Sequence, residues 1–149
     1  TYHSRVPFVK QLMEKASNRA QDRGQIRTLL GRLCRFHLWE PNSFGMHKAL
    51  SHEEALKEHG PGIRRAYTYK SLNKLIQGSA ADMTKKSMLE LYKAGVVAHI
   101  QIHDELCVSI NDDNEAKKIV EIMENAVTLE VPNKVDYEHG KNWGDIYDK

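Results

Sequence analysis

Two neighbouring carboxylates, Asp104 and Glu105, follow His103 between two β-branched runs, in the stretch Gln101-Ile102-His103-Asp104-Glu105-Leu106. Ionised carboxylates side by side repel each other and lose hydration on partial burial, so a divalent cation or a basic group nearby relieves a real cost. A turn of this kind can hold a metal. Acids also favour turns for local reasons, because their side chains bond the nearby backbone. The turn by itself leaves both readings open.

A second group lies upstream. Lys70, Asn73 and Gln77 fall at i, i+3 and i+7, which places a cation and two amides on one helical stripe. Every base pair presents an acceptor in the minor groove, so an amide donor there can check pair geometry without reading sequence. A solvated helix flank has the same spacing. Arg27, Arg32 and Arg35 around Gly31, and the pair Arg64-Arg65, can grip phosphates through paired donors, although charged solvated faces look alike. His99 and His103 offer a histidine-based zinc alternative with Asp104, and a His-Asp doublet also occurs in helical phosphohydrolases; the β-branched context opposes the helical version.

The elements that must position these residues follow from periodicity. Val96, Ala98, Ile100 and Ile102, then Leu106, Val108 and Ile110, alternate as two half-buried strands, a hairpin with His103, Asp104 and Glu105 at its tip. A long helix is predicted from Tyr69 to Ala94, with Leu72, Leu75, Ile76, Ala80, Met83 and Leu91 as its apolar stripe. Gly78 inside it costs about 1 kcal/mol relative to alanine, which suggests close approach by another backbone or a ligand. An amphipathic helix starts near Ser4 as cap, with Pro7 in its first turn, Val9, Leu12, Met13, Ala16 and Ala20 inward, and Gly24 at its end. Gln25 to Leu30 and Leu33 to Leu38 read as strands around Gly31-Arg32, a basic hairpin. Pro41 to Gly45 reads as loop. Ser51 and Glu54 have capping-box spacing for a short, peripheral helix ending near Gly60. Asp112 and Glu115 have the same spacing ahead of a helix with Ala116, Ile119, Val120, Met123 and Val127 inward, and a short strand is expected at Lys134 to Tyr137. Helix, hairpin, helix, hairpin, helix, strand is the order of an α+β fold, an antiparallel sheet backed by helices.

The 149 residues suit one compact domain, and the net charge of +2 gives no overall polyanion signal. Cys34 and Cys107 are far apart in sequence and read as reduced thiols. No apolar run reaches membrane-spanning length and no secretory leader is visible, so a soluble, cytoplasmic protein without a membrane partner is expected. Thr1 in place of methionine, followed at once by helix-like sequence, points to a chain cut from something longer.

Gln77-Gly78-Ser79-Ala80-Ala81-Asp82 on a helix, followed by Gln101-Ile102-His103-Asp104-Glu105-Leu106 on a hairpin, closely resembles two signatures of the family A DNA polymerases, the DNA polymerase I family. Thr28-Leu29-Leu30-Gly31-Arg32 looks like the family's Thr-Leu-x-Gly-Arg segment, and Val135-Asp136 with Gly140-Lys141-Asn142-Trp143 looks like its C-terminal strand and tail. The resemblance spans almost the whole chain and implies that residues 1–149 are a single C-terminal fragment of the polymerase domain, with a palm-type antiparallel sheet, packed helices and distal fingers elements. The helical, charged insert between Trp39 and Arg64 looks more like phage members, which implies a host-cell cytoplasm.

Carried onto these residues, the resemblance makes Asp104 a ligand of catalytic magnesium, with Glu105 supporting the metal site and the primer end. It gives His103 the primer backbone near its 3′ end, Gln77 and Asn73 the minor groove near the new pair, and Arg32 the duplex backbone. The family often has an arginine one turn before Asn73 where this chain has Tyr69, with Lys70 next to it. The chemistry implied is two-magnesium transfer of a deoxynucleoside triphosphate onto a primer–template DNA. Magnesium's preference for hard oxygen ligands favours Asp104 over His99. The family's other metal-binding aspartate and its nucleotide-binding fingers helix have no match in this chain, and Val135-Asp136-Tyr137 is a superficial match only. The expectation is a chain inactive alone that needs a complementary N-terminal polymerase fragment. A non-catalytic duplex-binding module, held by Lys70, Asn73, Gln77 and the arginines, and a metal-dependent phosphohydrolase using His103 and Asp104 are the competing readings.

Overall fold

Pro7 opens the first helix of the computed structural model, which describes residues 6–147. Helix α1, Pro7–Arg23, has proline at its start, where the missing N–H is one the helix leaves unbonded anyway. The Ser4 cap expected for it lies outside the described residues. Gly24 ends it in the left-handed region at φ 65°, donating its N–H to Ala20 O at 3.0 Å. Ala16 and Ala20 are buried as expected, whereas Leu12 and Met13 of the same stripe are exposed.

The chain then turns directly into a short antiparallel ribbon, β1 (Gln25–Arg27) and β2 (Leu33–Arg35), in register Ile26 with Cys34. The connecting loop is closed at both ends: Thr28 N–H donates to Arg32 O and Gly31 N–H to Thr28 O, each at 2.9 Å, with Gly31 at φ 87°. The strands are shorter than the sequence pattern suggests because this loop takes Thr28 to Arg32 out of the ladder.

A second ribbon was not legible in the sequence. β3 (Trp39–Pro41) pairs with β4 (Ile63–Arg65), and Trp39 also bridges to Leu50. Pro41, read as the start of a loop, is instead the last residue of β3. Between the strands lies α2 (His52–His59), whose capping box forms in both directions: Glu54 N–H donates to Ser51 Oγ, and Ser51 N–H to the Glu54 carboxylate. Ser51 also donates its hydroxyl to the Glu54 carboxylate at 2.7 Å, and this bond, with the one from Ser51 N–H, holds the Glu54 carboxyl below its ordinary range. The helix is peripheral except at Ala55, which is fully buried.

A 3-10 turn, Thr68–Lys70, leads into α3 (Ser71–Lys93), close to the long helix expected. The acidic ribbon follows as β5 (Ile100–Ile102) and β6 (Glu105–Cys107). Helix α4 (Asp113–Asn125) is capped by Asp112, whose carboxylate accepts from Asn114 N–H and Glu115 N–H. The return arm differs from a standard capping box, since Glu115 reaches back to Asn111 N–H at 2.8 Å rather than to Asp112. No strand forms at Lys134 to Tyr137: among the described residues no partner strand lies against it, and Val135 N–H bonds the Glu124 carboxylate instead, at 3.2 Å. A last turn of helix, α5 (Gly144–Tyr147), follows.

The fold is therefore α+β with antiparallel pairing. Among the described residues, however, that pairing makes three separate two-stranded ribbons instead of one sheet. Strands of three residues offer little face to stack on a neighbouring ribbon. The chain divides into two compact units, Thr1–Ala80 and Ala81–Lys149. In the first, Ala20, Ile26 and Phe36 form the core with Cys34 and Leu75 against it, and the Lys74 ammonium lies 4.9 Å from the Phe36 ring centre. In the second, Leu91, Ala116 and Ile119 are buried. Among the described residues no helix is long and apolar enough to cross a membrane.

Candidate functional site

The acidic turn is tighter than the sequence suggests. Ile102 pairs with Glu105, so the turn itself is His103-Asp104 and Glu105 already belongs to β6. His103 takes a left-handed φ of 52°, the sign that lets a two-residue turn follow the twist of its strands. Gln101 donates its side-chain amide to His103 O, which braces the turn from β5. At the other end His99 N–H donates to Cys107 O at 2.9 Å, and its ring nitrogen Nε2 lies 3.1 Å from Ser109 Oγ. His99 is thus engaged at the open end of the ribbon, away from His103 at the tip.

Of the strands flanking the turn, β6 is half-buried as expected, with Leu106 and Cys107 partly covered, whereas β5 is exposed along its length. Ile100 and Ile102 are 44% and 41% exposed, and His103, Asp104 and Glu105 are exposed with them. A lone ribbon is covered unevenly: Leu106, Val108 and Ile110 are partly buried, while Ile100 and Ile102 face solvent. The donor chemistry fits a hard cation in part. Two exposed carboxylates are oxygen ligands of the type magnesium takes, whereas among the described residues no three His, Cys, Asp or Glu side chains converge on one point. A cation at this turn draws the rest of its coordination shell from elsewhere.

The residues of the amide stripe belong to the first unit. Asn73 and Gln77 are exposed on α3, and their side-chain amides make no hydrogen bond among the described residues. Lys70 precedes them, its ammonium 5.1 Å from the Tyr67 ring centre and 5.6 Å from that of Tyr69. Next to Gln77, the loop of the first ribbon docks on the helix. Arg32 Nη2 donates to Gly78 O at 2.8 Å, Leu29 N–H donates to Ser79 Oγ at 3.0 Å, and Ser79 Oγ donates to Leu75 O at 2.7 Å. A Cβ on Gly78 would lie 2.9 Å from Thr28 Cγ2 and 3.4 Å from Arg32 Nη2. The close approach at Gly78 is made by side chains of the docked loop, Thr28 and Arg32, and not by their backbone.

The structure thus brings Arg32 to the Gln77 turn, and groups Lys70, Asn73 and Gln77 along one helix entry. It sets His103, Asp104 and Glu105 together on their own ribbon. Sequence reading missed Thr28 and Ser79 as the docking pair, although two small residues, Gly78-Ser79, inside a helix were the available signal. It also gave Arg65 a phosphate, and here the assignment changes. Arg65 donates to Gln21 O at 3.1 Å and Phe36 O at 2.9 Å, and its guanidinium stacks 4.6 Å from the Trp39 ring centre. Those bonds tie α1 to the start of the second ribbon. Arg64 pairs with Glu40 at 3.0 Å on the surface, and Arg27 closes its own loop onto Gly31 O at 3.1 Å.

Comparison with known proteins places this geometry. The model of "DNA polymerase family A" matches residues 1–145. A DNA-directed DNA polymerase of Pseudomonas phage M6 is 38% identical over 144 residues, covering 97% of this chain and 18% of its own length. DNA polymerase I of Geobacillus stearothermophilus is 32% identical over 153 residues, covering 97% of this chain and 16% of its own. Among solved structures, the POL domain of Pol1 from M. smegmatis, in complex with DNA primer-template and dNTP, superposes with a TM-score of 0.71 at 26% identity, over 98% of this chain and 24% of that one. The chain spans less than a fifth of the length of these two relatives.

Proposed function

The chain belongs to DNA polymerase family A, and from that premise we propose that it is the C-terminal part of a template-directed DNA polymerase, one fragment of the polymerase domain carrying palm and distal fingers elements. The observation that carries the reading is the pair of exposed carboxylates, Asp104 and Glu105, presented by a two-residue turn that His103 and Gln101 hold in shape. Asp104 is the metal ligand and Glu105 its support near the primer end. Magnesium held there by Asp104 and Glu105 would supply activation of the primer 3′-hydroxyl and neutralisation of charge on the phosphoryl oxygens and the leaving pyrophosphate.

This chain's own residues do the positioning. His103, exposed on the tip, holds the primer backbone beside its 3′ end. Asn73 and Gln77, their amides uncommitted, donate to purine N3 or pyrimidine O2 in the minor groove behind the new pair, a contact that depends on pair shape and not on sequence. Arg32 contacts the duplex backbone while one of its donors fixes the Gln77 turn through Gly78 O, and Lys70 adds its cation to the same helix entry. The primer hydroxyl attacks the α-phosphate of a deoxynucleoside triphosphate, forming the phosphodiester and releasing pyrophosphate. A second aspartate, supplied by a complementary N-terminal polymerase fragment, completes a two-ion centre. The setting is the cytoplasm, that of the host cell for a phage-encoded enzyme.

The test mixes purified chain with a partner fragment bearing the earlier palm strand and fingers helix, plus magnesium, primed template and nucleotides. Extension is expected from the mixture and from neither component alone, and Asp104→Ala should abolish it. Extension unaffected by Asp104→Ala would sink the ligand assignment. The Asn73, Gln77 and Arg32 group is complete without any metal, which favours one second reading, a non-catalytic duplex-binding module. Salt-sensitive duplex binding with no extension in any mixture selects it.

A further inference from the structure

Lys70 sits between two tyrosines at the point where the chain enters α3, and the cluster has features that a solvated helix end does not need. We propose that Tyr69 contacts the DNA duplex and that Lys70 is its positioning residue, held by aromatic faces instead of gripping a phosphate; the proposal rests on reading the chain as part of a polymerase.

Three observations support it. The Lys70 ammonium lies 5.1 Å from the Tyr67 ring centre and 5.6 Å from that of Tyr69, both inside the range over which a ring quadrupole attracts a cation. Moving it onto a phosphate forfeits both faces. Tyr67 itself is left-handed, at φ 61°, an outlier for a bulky side chain, and it is fixed there by Lys70 N–H donating to Tyr67 O at 3.0 Å. Strain of this kind persists only where neighbours over-determine it, and it gathers at functional positions. Third, Tyr69 is 67% exposed one turn ahead of Asn73 and two turns ahead of Gln77. A phenol offers an apolar face for a deoxyribose and an O–H for a groove acceptor, and a ring carries only two torsions to fix.

The charge of the contacting group separates the two roles. A lysine that neutralises a phosphate releases a counterion, so its loss lowers the salt dependence of binding. A neutral phenol releases none.

The experiment measures binding of a fluorescent primer–template duplex to the 149-residue chain mixed with its complementary polymerase fragment, across a salt series, with the fragment alone as blank. Tyr69→Ala is expected to weaken binding by about tenfold at every salt concentration, the scale of losing one aromatic contact, with the slope unchanged. Tyr69→Phe, which removes only the hydroxyl, falls between that variant and the unaltered chain. Lys70→Met weakens binding with the slope again unchanged, and Lys70→Arg, which keeps a cation for both rings, restores it. A fall in slope of roughly 0.9 in Lys70→Met would mean a phosphate contact and overturn the proposal. So would unaltered binding by Tyr69→Ala. Failure of the unaltered chain to bind duplex even when mixed with the complementary fragment overturns the proposed polymerase role along with it, an outcome distinct from both. Both side chains are exposed, and circular dichroism checks that each variant keeps its fold.

Discussion

At Gly78 a single hydrogen atom decides how the first ribbon meets the long helix. Replacing it by methyl gains about 1 kcal/mol of helix propensity, yet the new Cβ lies 2.9 Å from Thr28 Cγ2, and overpacking of that kind costs about 1–3 kcal/mol. Gly78→Ala should therefore be neutral to destabilising in urea unfolding. In a Thr28→Ser background, which removes Cγ2 and keeps the hydroxyl, the same substitution should turn stabilising. If it is stabilising in both backgrounds, the contact is not limiting. Arg65 is the second residue whose chemistry is specific. Its planar fork serves Gln21 O, Phe36 O and the Trp39 face together, and lysine cannot reproduce that geometry. Arg65→Lys should lower unfolding stability by about 1.5–3 kcal/mol, the range for hydrogen bonds to a charged group. A loss no larger than that from substituting exposed Arg64 would contradict this.

Elements differ in how much of their reason for forming is local. The α2 capping box is wholly local, and the sequence spacing of Ser51 and Glu54 was enough to find it. The bonds that Ser51 donates to the Glu54 carboxylate, first from its hydroxyl and then from its N–H, keep that carboxyl more acidic than in the unfolded chain. A folded value below the unfolded one contributes stability that is present above the unfolded value and is lost as pH falls through the folded one. Acid should thus loosen α2, and Ser51→Ala should flatten that part of the stability–pH profile; amide exchange at Glu54 and Ala55 reads it directly. A profile identical in the variant would show that the box adds nothing. Glu90 on α3 shifts the same way, through Lys86 and Lys93, and adds to the acid limb. Elements that depend on distant partners were not legible. Trp39–Pro41 becomes a strand only because Ile63–Arg65 returns beside it across an intervening helix, and Lys134 to Tyr137, with a strand-like pattern, forms none because its backbone meets Glu124 instead. The acidic hairpin was found correctly, since its turn is contiguous. Its half-burial holds for Leu106, Val108 and Ile110 but not for Ile100 and Ile102, because alternation says which side chains share a face and not whether anything covers that face.

For the molecule as a whole, family membership was legible from short segments whose order and spacing carry the information, while the division into two units at Ala80 and Ala81, inside one helix, left no mark in the sequence. Chemistry-bearing residues were found because their types are unusual in their settings. Thr28 and Ser79 were not, because their importance lies in what they touch. If a complementary fragment packs on the acidic ribbon, amide exchange at Ile100 and Ile102 should slow on mixing; unchanged exchange alongside restored extension would place the docking surface elsewhere. That ribbon also governs how the purified chain behaves in a tube. Its strands are too short to make a strong edge template, but β5 exposes Ile100 and Ile102, apolar surface through which copies of the chain can associate. Asp104 and Glu105 stand at its end as charged gatekeepers. The carboxylates proposed for catalysis should therefore also help keep the chain dispersed, and Asp104→Ala is expected to favour precipitation that mimics lost activity. Light scattering beside every extension assay separates the two, as does Lys introduced at Ile100, which should restore dispersion without replacing the missing carboxylate.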